Sequence, residues 1–339
     1  MHIVVQIPCL NEEATVAEVI ADIRAHTGKF EHVSILVIDD GSTDGTVEAA
    51  RAAGADYVAR HHGNQGLARG YMTGLAAALN LGADVIVNTD ADNQYSAACI
   101  PDLVAPILDD RADLVVGCRP FRDIAHFSPL KKRLQLWGSA VARGLSRTDV
   151  RDATSGFRAL NRETALQTHT FGDYTYTLET LIQAGANGLR VVSVEVETNG
   201  PTRASRLIRS IPQYVMRSAL DMLRVTAIYA PLRAYVTLSA VPLGIALLLG
   251  LRYLILISFV DGTRSHAPSL ILAGILAGLG FMIVGLGIIG ENVSVNRRIL
   301  EDARTRTRRE DAAAGTLRGR VPFTLLRLKP DMPMDKAGE

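Results

Sequence analysis

A chain of 339 residues with 48% hydrophobic side chains can bury a large core, and its length allows two domains. Its 36 basic and 35 acidic residues leave a formal net charge of +1, which excludes a strongly basic nucleic-acid surface as its main purpose. Cys9, Cys99 and Cys118 are scattered, with no Cys-x-x-Cys and no histidine at metal spacing, so they read as reduced thiols of a cytosol-facing domain.

A strand over 2–7 opens the chain, so no cleavable signal peptide is expected. Pro8-Cys9-Leu10-Asn11-Glu12-Glu13 follows, then an apolar-periodic helix over about 14–25. A second strand over 33–38 runs into Asp39-Asp40-Gly41-Ser42-Thr43-Asp44-Gly45-Thr46 and another helix. The pattern recurs through a strand at 57–59, Asn64-Gln65-Gly66, and a helix ending near Leu81. A short buried strand over 83–88 then leads to Asp90-Ala91-Asp92-Asn93-Gln94. This alternation predicts a mostly parallel sheet with helices on both faces. Each polar cluster falls at a strand's C-terminal end, where open α/β sheets bind ligands.

An isolated Asp-x-Asp is most often an acidic surface turn. Here Asp39, Asp40, Asp90 and Asp92 share one rim, and like charges gathered there repel unless a cation or hydrogen-bond donors are present. Asp90 and Asp92 can converge on one hard cation, with Gln94 as a further oxygen ligand. Mg²⁺ or Mn²⁺ held by one or two carboxylates plus substrate phosphates is the usual arrangement for nucleotide chemistry.

The character changes after about residue 206. Over 207–229, apolar residues interleave with Arg209, Arg217 and Arg224, as in helices that lie in the headgroup plane. The run 236–260 carries Arg252 as its only charge, and 268–290 carries none. Either is long enough as a helix to cross a hydrocarbon core of ~30 Å. The short reversal at 261–267 puts both flanks on one side. Arg206, Arg209, Arg217, Arg224 and Arg233 precede the first run, and Arg297, Arg298, Arg304, Arg306, Arg308 and Arg309 follow the second. The positive-inside rule therefore places both termini in the cytoplasm. Arg252 is the one feature favouring two buried helices of a soluble protein instead.

Pro8-x-x-Asn11-Glu12, Asp39-Asp40-Gly41-Ser42-x-Asp44-Gly45-Thr46, Asn64-x-Gly66, Asp90-x-Asp92-x-Gln94, Gly117-x-Arg119 and Asp152-x-x-Ser155-Gly156-Phe157-Arg158 together resemble, in order and spacing, the family 2 glycosyltransferases. The dolichyl-phosphate mannose synthase-like branch is the nearest in appearance, over about residues 3–210. The resemblance implies a GT-A catalytic domain over 1–205, juxtamembrane amphipathic helices over 206–233, and a membrane segment over 235–292. The two spans within that segment are 236–260 and 268–290, and 303–339 becomes a charged cytoplasmic tail.

The implied activity is inverting transfer of a sugar from a nucleotide-diphosphate sugar to a polyprenyl phosphate at the cytoplasmic face of the cell inner membrane. Asp90, Asp92 and Gln94 would hold the metal, and Arg119, Arg133 and Arg203 would serve the acceptor phosphate, with Ser205 beside Arg203. The segment around Arg203 departs from the family spacing, having Arg-Ala-Ser-Arg after Asn199-Gly200-Pro201. Pro8, Asn11 and Glu12, with Asp39 or Asp40, would meet the base and ribose. Asn64 and Gly66 would offer backbone N–H groups to the donor, and Asp152 and Ser155 would line the sugar pocket. Glu179, on an expected helix over 176–185, either serves the site or braces an arginine. Two-span members of this branch form homo-oligomers through these helices, and Gly274 and Gly278 have the small-x-x-x-small spacing that suits such packing.

Three alternatives are weaker. A processive polysaccharide synthase needs Gln-x-x-Arg-Trp, and Trp137, the only tryptophan, has no arginine before it. A glycosyltransferase with a hydroxyl acceptor needs a positioned general base. An inactive membrane-anchored sugar-nucleotide-binding protein has no need of the intact carboxylate pair. Nothing legible separates one sugar or base from another.

Overall fold

A computed structural model describes residues 1–119, 143–144, 146, 148–170, 176–199, 224, 226–259, 267–319 and 322–328. Arg133, Arg203 and Ser205, and most of the amphipathic stretch over 206–233, lie outside the described residues.

The chain divides into two compact units, residues Met1–Arg209 with Ala303–Glu339, and Ser210–Asp302. The first unit is built on strands β1 (His2–Cys9), β2 (His32–Asp39), β3 (Tyr57–Arg60), β4 (Val85–Asn88), β5 (Leu114–Cys118), β6 (Arg158–Asn161), β7 (Val191–Glu195) and β8 (Thr324–Arg327). They form one sheet in the order β7-β5-β6-β4-β1-β2-β3-β8. Pairings β1·β2, β1·β4, β2·β3 and β5·β7 are parallel, as expected. Strand β6 enters antiparallel between β4 and β5, and β8 is antiparallel on β3.

Helices α1 (Val16–Thr27), α2 (Thr46–Ala52), α3 (Leu67–Asn80), α4 (Ile100–Leu108), α5 (Arg162–Gln167) and α6 (Thr177–Ala186) complete this unit, with the C-terminal end of a longer helix described below. Strand side chains alternate between faces. Ile3, Val5 and Ile7 of β1 therefore join a core with α1 and α4, while Val4 joins Leu36, Ile38, α3 and α5 on the other side. Each fully buried Ile or Leu contributes about 1.5–3 kcal/mol, so two cores of this size hold the sheet firmly.

The second unit contains α7 (Pro231–Phe259) and most of α8 (Ala267–Ala313). Both are long and apolar enough to cross a membrane. Gly280 abuts Leu243, Gly287 abuts Tyr235 and Gly290 abuts Pro231, so the helices run antiparallel with glycines at the contact. The Arg297 guanidinium lies 3.9 Å from the Tyr229 ring centroid. Large apolar side chains face outward, Leu247 and Leu248 being 73% and 67% exposed.

Helix α8 continues well past the expected end at 290, because no glycine or proline interrupts it before Gly315. Gly315 (φ +68°) closes it, with Thr316 N–H donating to Asp311 O at 2.8 Å. The segment read as a charged tail is thus folded onto the catalytic unit as far as β8. Leu317 is buried, and Asn80 clasps its backbone on both sides at 2.8 and 2.9 Å.

Candidate active site

The C-terminal ends of β1, β2, β4, β5 and β7 share one rim, and antiparallel β6 brings its N-terminal end, with Asp152–Arg158 before it, to the same place. Two rim loops lock together first. Asn11, in the left-handed region at φ +54°, receives Thr43 N–H on Oδ1 at 2.9 Å and donates its own N–H to Ser42 Oγ at 3.0 Å. Asparagine tolerates that conformation where most residues do not. Glu12 is buried and its N–H reaches Thr46 Oγ1 at 2.9 Å; Pro8 is half-buried beneath them.

The four rim carboxylates divide into two pairs. Asp39 is fully buried, accepting Ser42 N–H on Oδ1 at 2.9 Å and facing Arg60 Nε at 3.0 Å. Asp40 takes Gln65 N–H and Gly66 N–H, each at 2.8 Å, and His61 Nδ1 at 2.7 Å; the other His61 nitrogen meets Thr73 Oγ1 at 2.9 Å. Asp39 and Asp40 are therefore compensated by their own chain. The Gly66 N–H expected to serve a donor phosphate is committed to Asp40, and Asn64 stands exposed beside it. Gly41 (φ +78°) permits this closeness, since a Cβ there would lie 2.6 Å from Gly63 Cα.

Asp90 and Asp92 are different. Burial first, and Asp92 next, push the Asp90 carboxyl up to about 7, against the pull of Arg119 and Arg158. Asp92 Oδ1 receives Gln94 N–H at 3.2 Å, and Asn93 turns the chain at φ +55°. Asn199 pins this loop, its N–H reaching Gln94 O and its Nδ2 reaching Asn93 O, both at 2.9 Å.

Two arginines act on Asp90 through their charge. Arg119 grips fully buried Asp152 with Nε at 2.8 Å and Nη2 at 3.3 Å, and Nη2 also reaches Thr154 Oγ1 at 3.0 Å. Arg158 has no exposed surface. Its three nitrogens donate to Ser155 O at 2.8 Å, Thr180 Oγ1 at 2.6 Å and Ala153 O at 3.1 Å, and burial lowers its pKa. Ser155 Oγ donates to Tyr95 Oη at 3.3 Å, and Tyr95 stacks on Phe157. Glu179 is buried on α6, as the expected helix placed it.

Arg158 closed a quoted motif but was given no role, and Asn88 and Tyr176 were not singled out from sequence. Asn88 receives Gln6 Nε2–H at 2.8 Å and donates to Gly156 O at 2.8 Å and Tyr176 Oη at 2.9 Å. Only the sheet register, Gln6 beside Asn88 and Asn88 beside Arg158, reveals this network.

Residues 4–168 match the family model described as Glycosyl transferase family 2. An uncharacterized glycosyltransferase of Mycobacterium bovis is 33% identical over 61% of this chain and 91% of its own length. A UDP-N-acetylglucosamine–dolichyl-phosphate N-acetylglucosaminyltransferase of Methanococcus voltae is 29% identical over 57% of this chain and 83% of its own. Glucosyl-3-phosphoglycerate synthase from Mycobacterium tuberculosis, solved with Mn²⁺, UDP and phosphoglyceric acid, shares the fold at a TM-score of 0.51. It is 23% identical over 65% of this chain and 78% of that one. The chain belongs to glycosyltransferase family 2, and its catalytic unit is a GT-A-type transferase domain.

Proposed function

We propose that this enzyme transfers a sugar, with inversion, from a nucleotide-diphosphate sugar to a polyprenyl phosphate at the cytoplasmic face of the cell inner membrane. The observation that carries the reading is one chain holding both a carboxylate pair under the charge of two arginines and two long apolar helices with outward-facing side chains. The relative from Methanococcus voltae, named for a dolichyl-phosphate acceptor, supports it.

A phosphate monoester has a second pKa of about 6, so the acceptor is already a dianionic nucleophile and needs no base. The obstacle is the approach of two polyanions, so the protein's task is positioning and neutralisation. Arg119, with Arg133 and Arg203 from outside the described residues, would hold the acceptor phosphate. Asp152 keeps Arg119 aimed, and Ser155 and Gly156 would border the sugar. Pro8, Asn11 and Glu12 would frame base and ribose, with Asp39 and Asp40 shaping the loops there instead of presenting bare carboxylates.

Asp90, Asp92 and Gln94 offer an all-oxygen donor set that fits Mg²⁺ or Mn²⁺; the Asp90 carboxyl is raised by burial first and by Asp92 second, and a cation would offset both. Among the described residues no cluster of three or more His, Cys, Asp or Glu stands ready for a metal, which leaves coordination sites to diphosphate and water. A divalent ion held there would neutralise the leaving diphosphate.

A hydroxyl acceptor is the second reading, favoured by the burial of the Asp90 carboxyl beside Asp92, which pushes it up towards the range of a general base. The metal assignment is tested with Asp92→Ala. Turnover and metal-dependent stabilisation by nucleotide are expected to vanish while the fold persists. Wild-type protein at 100 times the nucleotide's Kd should gain about 2.7 kcal/mol. A variant keeping more than about a tenth of wild-type kcat at saturating metal counts against the assignment.

A further inference from the structure

Away from the rim, an open cavity of about 580 Å³ is lined by α3, the chain after α5, the end of α8 and the residues that follow it. Arg304, Arg308 and Arg318 line it against a single carboxylate, Asp311, and Met72 and Leu317 give it an apolar side. Arg308 is buried and already committed. Its Nη1 donates to Leu166 O at 2.7 Å and Thr168 O at 2.8 Å, capping the C-terminal end of α5.

The same Nη1 lies 3.2 Å from His169 Nδ1. A guanidinium can only donate, so Nδ1 must accept and the ring proton must sit on Nε2. His169 is 5% exposed, and its buried Nε2 finds no partner among the described residues. Burial and the neighbouring Arg308 and Arg304 push its pKa down to about 3, which agrees with a neutral ring. Arg304 and Arg318 are exposed and have no ion-pair partner among the described residues.

Two uncompensated guanidinium groups and an orphaned N–H around one cavity are complementary to a tetrahedral anion. Its volume falls within the ~300–1,000 Å³ of small-molecule sites. We infer that this cavity is a second ligand site, taking the phosphate of an organic phosphate on Arg304, Arg318 and His169 Nε2–H, with the organic part against Met72 and Leu317. It is separate from the proposed transfer reaction and does not depend on it. The phosphate comes either from a soluble ester or from a lipid headgroup.

The test uses the full chain with chelator present, so that metal-dependent nucleotide binding is silent. One arm titrates glycerol 3-phosphate in neutral detergent; the other compares nanodiscs of phosphatidylcholine alone with nanodiscs containing phosphatidic acid. Melting temperature is read for wild type, Arg304→Gln/Arg318→Gln and Asp92→Asn. The two arginines are exposed and unpaired, so the double variant should fold. A saturable rise is expected in at least one arm, kept by Asp92→Asn, with the double variant needing at least about tenfold more ligand. A rise in the first arm identifies a soluble ester as sufficient; a rise confined to the second identifies a lipid. No saturable rise in either arm, an unchanged response in the double variant, or a rise lost in Asp92→Asn would overturn the site.

Discussion

Gly156 shows how tightly the backbone is drawn around the Asp90 carboxylate. A Cβ at Gly156 would stand 3.0 Å from both Asp90 carboxylate oxygens and 3.0 Å from Tyr176 Oη. Tyr176 cannot easily yield, being stacked on Tyr71 at 3.8 Å and bonded to Asn88. Gly156→Ala should therefore displace Asp90, lowering kcat by about 10- to 100-fold with little change in melting temperature. Steady-state kinetics beside circular dichroism would check this, and wild-type kcat would show that Asp90 has no fixed position to lose. The carboxylate pair was legible because Asp90 and Asp92 are near neighbours after a strand. Arg119 was legible as a motif residue, but its grip on buried Asp152 was not, because strands β5 and β6 must pair before the two meet. The partners of Asp39 and Asp40 were hidden for a related reason. Asp39 meets Arg60 at the end of the next strand, and Asp40 meets the Gln65–Gly66 backbone just beyond it.

The alternation of strand, polar turn and helix exposed the first four strands and their parallel pairing, since apolar periodicity and turn residues are local signals. Antiparallel β6 and edge strand β8 were not visible. Neither falls in the strand–turn–helix alternation that marked the equally short β3 and β4: β6 pairs antiparallel between strands distant in sequence, and β8 follows a run dense in arginine that reads as a solvated tail. The structure gives that tail a stabilising role. Ending the chain after Gly315 would expose the edge of β3 and remove Leu317, Phe323 and Leu325 from the core around α3. The loss of buried Leu317 alone is worth about 1.5–3 kcal/mol, and partly buried Phe323 and Leu325 add to it. The truncated protein should melt well below wild type or fail to accumulate; a wild-type melting curve would mark the segment as dispensable.

Two units in one chain, one catalytic and one a pair of apolar helices, suit a donor from water and an acceptor from lipid. The glycines of α8 divide by role: Gly280, Gly287 and Gly290 contact α7, while Gly274 and Gly278 have nothing within 4 Å of where a Cβ would stand. Small residues turned away from their own hairpin favour packing against another copy. Gly274→Leu/Gly278→Leu should shift the detergent-solubilised protein towards monomer while nucleotide still binds, as read by light scattering. A wild type that is already monomeric in mild detergent and in nanodiscs would refute the homo-oligomer. The acceptor is the central claim, and it is tested most directly by following labelled sugar from a panel of nucleotide sugars into product. Purified full-length protein with Mg²⁺ or Mn²⁺ would be offered polyprenyl phosphate or the corresponding free polyprenol. Label should enter a polyprenyl-phosphate sugar of inverted anomeric configuration, and none should enter the alcohol. Transfer to the alcohol or another hydroxyl acceptor, with none to the phosphate, would contradict it.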